Sequence, residues 1–487
     1  MNVIVICLDT FRADIVGDRD KLAHVRTPAM DQLAAQSANF DRAFGESQPT
    51  LQARRSLMTG MRCFPWRFNV DRRGHWHHAA GWHKIPPEHD TLAEILVQRG
   101  YYTGLVTDTH HMFKPTMNYT RGFCSWEFVR GQVDDHWRGG TRAMVEPLMR
   151  RVCREPIDWQ RHLVMLQYFL NNRDRQSEDD YLPARVFSAA SRWLEDNHAN
   201  APFFLWVDGF DPHEPWDPPR RYADSYMPDY EGIDFIWAHQ GPDATEEEIE
   251  RVRALYFGEV TFVDECLGRL LETVDRLELW DDTIVVLTSD HGTQILDHGR
   301  FGKGPNNLRR YNTQIAMHLR HPDGPGGEHF GGFVQAHDLA PTLLGQLGVP
   351  AQMDGLDFWL LATGAAEAIR DHVVIAWADW AEGRARGTVS VRDDRWNFQT
   401  KTGQEDNAPA LYDLTEDPNE DANVIADHPE VAELQRRRVE AVMRQPLPGQ
   451  HDEVCTRDVK APAHVCRAIQ FGFVDVPRGS RDVEEKG

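Results

Sequence analysis

The sequence predicts an α/β fold: a mostly parallel sheet flanked by helices, followed by a smaller C-terminal antiparallel α+β subdomain. Three observations predict it. Val3 to Leu8 (VIVICL) is an unbroken apolar run, four of its six residues β-branched, that stops at the polar pair Asp9-Thr10. A strand buried on both faces of a parallel sheet reads this way. Runs of the same kind recur at Tyr102 to Thr107, Phe203 to Asp208 and Thr283 to Thr288. Helical patterns lie between them, and alternation of strand and helix is the mark of an α/β sheet.

Among the helices, Thr91 to Arg99 is one, and Thr245 to Leu279 is the clearest. Thr245 with Glu248 makes a capping box, and Ile249, Val252, Leu255, Phe262, Cys266, Leu270, Val274 and Leu277 keep largely to one stripe. Beyond about residue 365 the texture changes. Val373 to Trp377, Gly387 to Val391 and Trp396 to Thr400 read as short strands, with a helix near Pro429 to Met443. This divides the chain into a catalytic domain over 1–365, a small subdomain over 366–446 and a tail over 447–487, rich in Pro and charge, that wraps the surface. Residues 130–180 carry mixed charge and weak periodicity and read as an insertion. No internal repeat is found.

At 487 residues, with 41% hydrophobic and 26% charged side chains, the composition excludes a disordered chain. Lys plus Arg is 53 against 76 Asp plus Glu, a net charge of −23. That excludes tracking of a nucleic-acid backbone, which needs clustered cations, and requires an anionic substrate to meet a local positive site. Seven dispersed cysteines with no CxxC pair indicate neither a disulfide scaffold nor a zinc ribbon. The opening apolar run is cut off at Asp9, and no stretch approaches the roughly 20 apolar residues of a membrane helix. The expectation is a soluble, cytoplasmic protein without a membrane partner, with homo-oligomerisation left open.

Acidic and histidine side chains at several strand ends can converge on one crevice of an open α/β sheet. Four segments qualify: Asp9-Thr10; Pro49 to Gly60 (PTLQARRSLMTG); Asp211 to Trp216 (DPHEPW); and Ser289 to Gly292 (SDHG) continuing through Asp297 to Lys303 (DHGRFGK). In order along the chain, D-T-x-R-A-D, R-x-S-L-M-T-G, P-H-x-P, V-D-E-x-x-G-R-L-L, T-S-D-H-G, H-G-x-x-G-K and L-Y-D-L-x-x-D-P-x-E resemble the sulfatase branch of the alkaline phosphatase superfamily. They cover nearly the whole chain. The resemblance implies the large mixed, mostly parallel sheet of an alkaline-phosphatase-like fold.

It also implies the site. The family's nucleophile is a formylglycine made from the Cys of C-x-P-x-R, just ahead of an L-x-T-G segment. Counting back from Leu57-Met58-Thr59-Gly60, Arg54 matches the motif's Arg and Thr50 its Cys, so Cys and Pro are both missing and Thr50 is the expected nucleophile. Cys63-Phe64-Pro65-Trp66-Arg67 fits C-x-P-x-R literally but follows the T-G segment. By the same register Asp9, Asp290, His291 and the Thr50 oxygen are the expected ligands of one divalent metal. Ca²⁺-dependent sulfatases usually carry a second Asp at Thr10 and an Asn at His291. An imidazole there favours Mn²⁺, Zn²⁺ or Fe, in the manner of the phosphonate monoester hydrolase and phosphodiesterase members. Lys303 matches the oxyanion lysine, Arg54 the arginine that steadies nucleophile and metal, and His213 the histidine facing the leaving group.

His110 matches a substrate-facing histidine, Asp108 standing where the matched sulfatases have a lysine, and His111 is read as a bystander. Asp208, Asp211, Asp297 and His298 leave a second metal open. The His75, His77, His78, His83 and His89 stretch reads as a solvated or pocket-rim loop. A threonine ester has no hemiacetal route for releasing sulfate, whereas its phosphate ester can be hydrolysed by attack of water on phosphorus. The expectation is therefore a metal-dependent hydrolase of small anionic esters, phosphodiesters or phosphonate monoesters, without formylglycine. The alternatives are a sulfatase using Thr50 or a modified Cys63, and a non-catalytic binding relative. The retention of Asp9, Arg54, His213, Asp290, His291 and Lys303 together, a costly cluster of charges, speaks against the last.

Overall fold

The computed structural model describes residues 1–449 apart from 18–21, 23, 67–81, 83, 114–117, 238–243, 307, 382–383 and 404–407. Its strands, in chain order, are β1 (Asn2–Leu8), β2 (Ala38–Phe44), β3 (Ser47–Gln48), β4 (Tyr102–Thr107), β5 (Ser125–Phe128), β6 (Phe203–Gly209), β7 (Thr283–Ser289), β8 (Gln294–Ile295), β9 (Phe301–Gly302), β10 (Met317–Arg320), β11 (His329–Gln335), β12 (Val373–Ala381), β13 (Arg384–Arg392), β14 (Trp396–Thr402) and β15 (Ala410–Asp413). Eight of them form one sheet in the order β11-β2-β10-β7-β1-β6-β4-β5. From β7 to β5 every pairing is parallel, and β10 runs antiparallel to both neighbours. The sheet is therefore mixed and mostly parallel.

The two faces of β1 divide the core as strand alternation requires. Ile4, Ile6 and Leu8 pack with Leu205, Val207, Val285 and Leu287 against the long helix Glu246–Arg276 and the helix Leu182–Asn197. Val3, Val5 and Cys7 pack with Phe204, Trp206, Ile284 and Val286 against Leu51, Leu57 and Met58 of the helix Thr50–Thr59 and Leu339, Leu343 and Leu344 of the helix Leu339–Gln346. Thr245 caps the long helix with the reciprocal Glu248 box, and Thr91 does the same with Glu94 for a helix over Leu92–Val97.

Two expectations are refined. The 130–180 segment folds into helices Arg142–Val152 and Leu163–Asn172, whose Val145, Met149, Leu166 and Leu170 join the main core. The second helix is apolar nearly all round because it is buried on several sides, so no single stripe marks it in the sequence. The C-terminal strands form a five-stranded sheet in the order β15-β14-β13-β12-β3, with the helix Pro429–Met443 contributing Val439 and Met443 to its core. Its last strand comes from far upstream: Ser47 and Gln48 pair in parallel with Ala376 and Trp377. The stretch leading into Thr50 is thus built into the second sheet. The expected tail lies outside the described residues beyond 449, and no described helix is long and apolar enough to cross a membrane.

Candidate active site

The site forms where β7, β1 and β6 end, because three neighbouring parallel strands each deliver a carboxyl group there: Asp290, Asp9 and Asp208. All three are fully buried. Arg54, one turn into the helix that begins at Thr50, ties them together. Its Nη1 donates to Asp9 Oδ2 at 2.9 Å and to Asp290 Oδ2 at 2.8 Å, and its Nε donates to Asp208 Oδ1 and Oδ2 at 2.9 and 3.0 Å. Burial opposes the guanidinium's charge, but Asp208, Asp9 and Asp290 override it and hold its pKa well above the ordinary value. The same helix is buried on every side and ends at Gly60, whose φ of +65° closes it with a hydrogen bond from its N–H to the Ser56 carbonyl. A Cβ at Gly60 would stand 2.4 Å from Met353 Sδ.

Thr10 is the second organiser. Its φ of +62° is a left-handed conformation rare for a β-branched residue. That turn aims its N–H at Asp290 Oδ1 (2.9 Å) and its hydroxyl at Asp9 Oδ1 (2.7 Å), while Tyr256 donates to its carbonyl at 3.1 Å. Gly292 serves the opposite wall. It donates to the Asn312 carbonyl, and a Cβ there would lie 2.1 Å from the Tyr311 carbonyl oxygen.

Asp9, Asp290 and His291 present ligand atoms that all lie within 4.8 Å of one another, the metal-competent cluster among the described residues. The donor set fits a divalent cation on two further grounds. His291 Nε2 is buried with no hydrogen-bond partner, while its Nδ1 is engaged by the Gly292 carbonyl at 2.9 Å, which leaves Nε2 as the available ligand atom. Burial pushes the His291 pKa down to about 3, so the ring is neutral. Second, burial and the facing Asp9 push Asp290 well up, whereas at Asp9 the Arg54 guanidinium overcomes burial and lowers it. Two carboxyls this close call for more positive charge than one arginine supplies.

Thr50 is the first residue of its helix and is buried, with its carbonyl 3.3 Å from Arg54 Nη1. His213 and Lys303 meet through Glu214, a residue sequence reasoning passed over. Lys303 Nζ donates to Glu214 Oε2 at 2.6 Å, and His213 Nδ1 lies 2.6 Å from the Glu214 carbonyl and 3.2 Å from Oε2. The His213 ring stacks on Phe210 with centroids 4.3 Å apart, and burial followed by Lys303 lowers its pKa. His110 meets the same Phe210 edge-on, with centroids 5.9 Å apart, while its Nε2 is 2.8 Å from Asp134 Oδ1 and its ring lies 3.8 Å from that of His111. Asp108 faces inward, accepting from Phe210 N–H and Gln132 Nε2.

The four residues that left a second metal open are not brought together. Asp208 is taken by Arg54, Asp211 by Gln132, Asp297 by Arg12, and His298 by Tyr311. Sequence spacing could not reveal those partners, which come from other segments. Cys63 is buried in the core of the second sheet with Phe64, Trp66 and Val374, its N–H bonded to Glu46 Oε2 at 2.9 Å. Burial raises its thiol to about 11. Of the histidine-rich stretch only His89 lies within the described residues.

Residues 1–349 match the sulfatase family model. The chain belongs to the sulfatase family. Residues 298–445 of this sulfatase-family chain also match a model described as N-sulphoglucosamine sulphohydrolase, C-terminal. Among curated relatives, an arylsulfatase of Clostridium perfringens is 23% identical over 458 residues, covering 87% of this chain and 90% of that protein. The multifunctional alkaline phosphatase superfamily protein PehA of Trinickia caryophylli is 25% identical over 484 residues, covering 88% and 91%. The crystal structure of the phosphonate monoester hydrolase of Agrobacterium radiobacter superposes with a TM-score of 0.68 at 22% identity, covering 91% of this chain and 95% of that one. The fold is that of the alkaline-phosphatase-like sulfatases, and the chain is a sulfatase-family hydrolase.

Proposed function

We propose that this hydrolase cleaves phosphodiesters or phosphonate monoesters through a covalent ester of Thr50, with one divalent transition metal, Mn²⁺ or Zn²⁺ rather than Ca²⁺, held by Asp9, Asp290, His291 and the Thr50 oxygen. The observation that carries it is Thr50 itself. It opens the helix whose Arg54 clasps Asp9 and Asp290, and the sequence resemblance aligns it with the modifiable cysteine of formylglycine sulfatases. Cys63, the other candidate, is packed in a different core.

Thr50 Oγ attacks phosphorus as its proton passes to the unprotonated His213 Nε2, and His213 hands that proton to the leaving oxygen as the P–O bond breaks. Water then attacks the phosphorus of the threonine ester, one of its protons restoring the Thr50 hydroxyl, and a phosphate monoester (from a diester) or a phosphonate is released. His213 Nδ1 is held by the Glu214 carbonyl, so Nε2 is the nitrogen that serves the leaving group. Arg54 and Lys303 offset charge on the group in transfer. A bound divalent cation would polarise the ester and favour ionisation of Thr50. The sulfatase relatives favour a second reading, sulfate-ester hydrolysis at the same residues.

The test is turnover of aryl phosphodiester, phosphonate, phosphomonoester and sulfate esters after metal removal and add-back. The expected result is loss on chelation, restoration by Mn²⁺ or Zn²⁺, and preference for the phosphorus diester or phosphonate. Restoration by Ca²⁺ alone with sulfate esters preferred would establish the second reading instead.

A further inference from the structure

The Glu214 carboxylate has no part in the steps above, yet it lies between two of the groups that act in them, Lys303 and His213. The side chain is 2% exposed, Oε2 binds Lys303 Nζ at 2.6 Å and lies 3.2 Å from His213 Nδ1, and Oε1 is buried with no hydrogen-bond partner. Burial opposes its charge, but Lys303 first and His213 next override that and bring its pKa down to about 2, so it is ionised at any working pH. An ionised buried carboxylate with one oxygen lacking a donor is a costly group to keep. Its consequence is electrostatic. Asp9, Asp208, Asp290 and Glu214 face Arg54 and Lys303, four carboxyl groups against two cations. A divalent cation would bring such a site to neutrality, whereas the same site without Glu214 would carry a net positive charge.

Esters of this superfamily's kinds differ in that charge. Phosphodiesters, phosphonate monoesters and sulfate monoesters are monoanions at neutral pH, while a phosphate monoester, with its second pKa near 6, is close to a dianion at pH 8. We propose that Glu214 is a specificity-determining residue that, by neutralising Lys303 beside the reacting group, selects singly charged esters and rejects phosphate monoester dianions. The proposal rests on the reading of Lys303 and His213 as substrate-facing groups of a hydrolase. One unit charge within about 5 Å at an effective dielectric near 20 is worth tenfold or more in the discrimination between a dianion and a monoanion.

The experiment compares wild type with Glu214→Gln, which keeps the shape and removes the charge, on aryl methyl phosphodiester, aryl phosphonate, aryl sulfate and aryl phosphate monoester at pH 8, all with one leaving group. The expected result is a rise of tenfold or more in the ratio of kcat/KM for the monoester to that for the best singly charged ester. Inorganic phosphate should also inhibit the variant at about tenfold lower concentration, a readout that survives even where monoester turnover is too slow to follow. If Glu214 merely holds Lys303 in place, all four substrates fall together and the ratio stays fixed, which overturns the proposal. So does tighter phosphate inhibition without a change in ratio where both can be measured. Should Glu214→Gln fold poorly, Lys303→Gln supplies the opposite perturbation: with the carboxylate uncompensated, the ratio must fall and phosphate must inhibit less, and an unchanged ratio overturns the proposal equally. A wild type inactive on every singly charged ester would instead remove the functional reading beneath it.

Discussion

Arg54 is fully buried and spans three carboxyls on three strands, so it is the residue whose loss the site can least absorb. Arg54→Met should destabilise the protein by about 3–5 kcal/mol, because removing one partner leaves buried negative charge without compensation. A thermal melt checks it, and added divalent metal should recover part of the loss by supplying the missing charge. Arg54→Lys should fall between the two, since an ammonium cannot reproduce the forked contacts. His213→Ala should slow substrates with basic leaving groups by roughly 10²–10⁴-fold and activated aryl esters far less. Equal losses across a leaving-group series would take His213 out of the acid role. Of these residues, Asp9, Arg54, Asp290, His291, His213 and Lys303 were legible in the sequence because each sits in a short motif at a strand end or helix start. Glu214 and Asp208 took on their roles only in three dimensions, through partners 89 and 154 residues away.

Elements were legible where one face is apolar and the ends are capped. The helix Glu246–Arg276 follows its predicted stripe and Thr245 cap, and β1 follows its apolar run. Less legible were the two-residue strand β3, too short for any periodicity, and the helix Leu163–Asn172, whose burial on several sides erases the stripe. The long helix also carries a test of its electrostatics. Glu259 on it is buried, and burial followed by Asp217 raises its pKa to about 8. A carboxyl whose folded pKa lies above its unfolded value binds more protons when folded, so its contribution to stability is present below about pH 4.5 and is lost as pH rises toward 8. Glu259→Gln should therefore flatten the fall of Tm between pH 5 and 8, leaving the acid side nearly unchanged. A Tm profile parallel to wild type would show that Glu259 is ionised in the folded protein.

At the scale of the whole molecule, two sheets meet at one helix. The eight-stranded sheet supplies Asp9, Asp208 and Asp290 from its strand ends, while the five-stranded sheet takes β3, whose chain turns directly into Thr50–Thr59. The sequence showed both sheets but not that the second one holds the entry to the helix that Thr50 opens, because β3 is separated from its partner β12 by more than three hundred residues. The same division sets Thr50 and Cys63 in different packing environments, which supports the proposed role of Thr50: Thr50 opens a helix tied to the carboxyl cluster, and Cys63 lies within the smaller sheet's core. The most direct measurement is peptide mass analysis of enzyme quenched during turnover of a slow aryl phosphodiester, alongside Thr50→Ala and Cys63→Ala. The account predicts a phosphoryl group still carrying its second ester on the peptide containing Thr50, Cys63 as an ordinary thiol, no turnover by Thr50→Ala, and most of the activity retained by Cys63→Ala. An aldehyde at position 63 with activity lost in Cys63→Ala, or full turnover by Thr50→Ala, would contradict it.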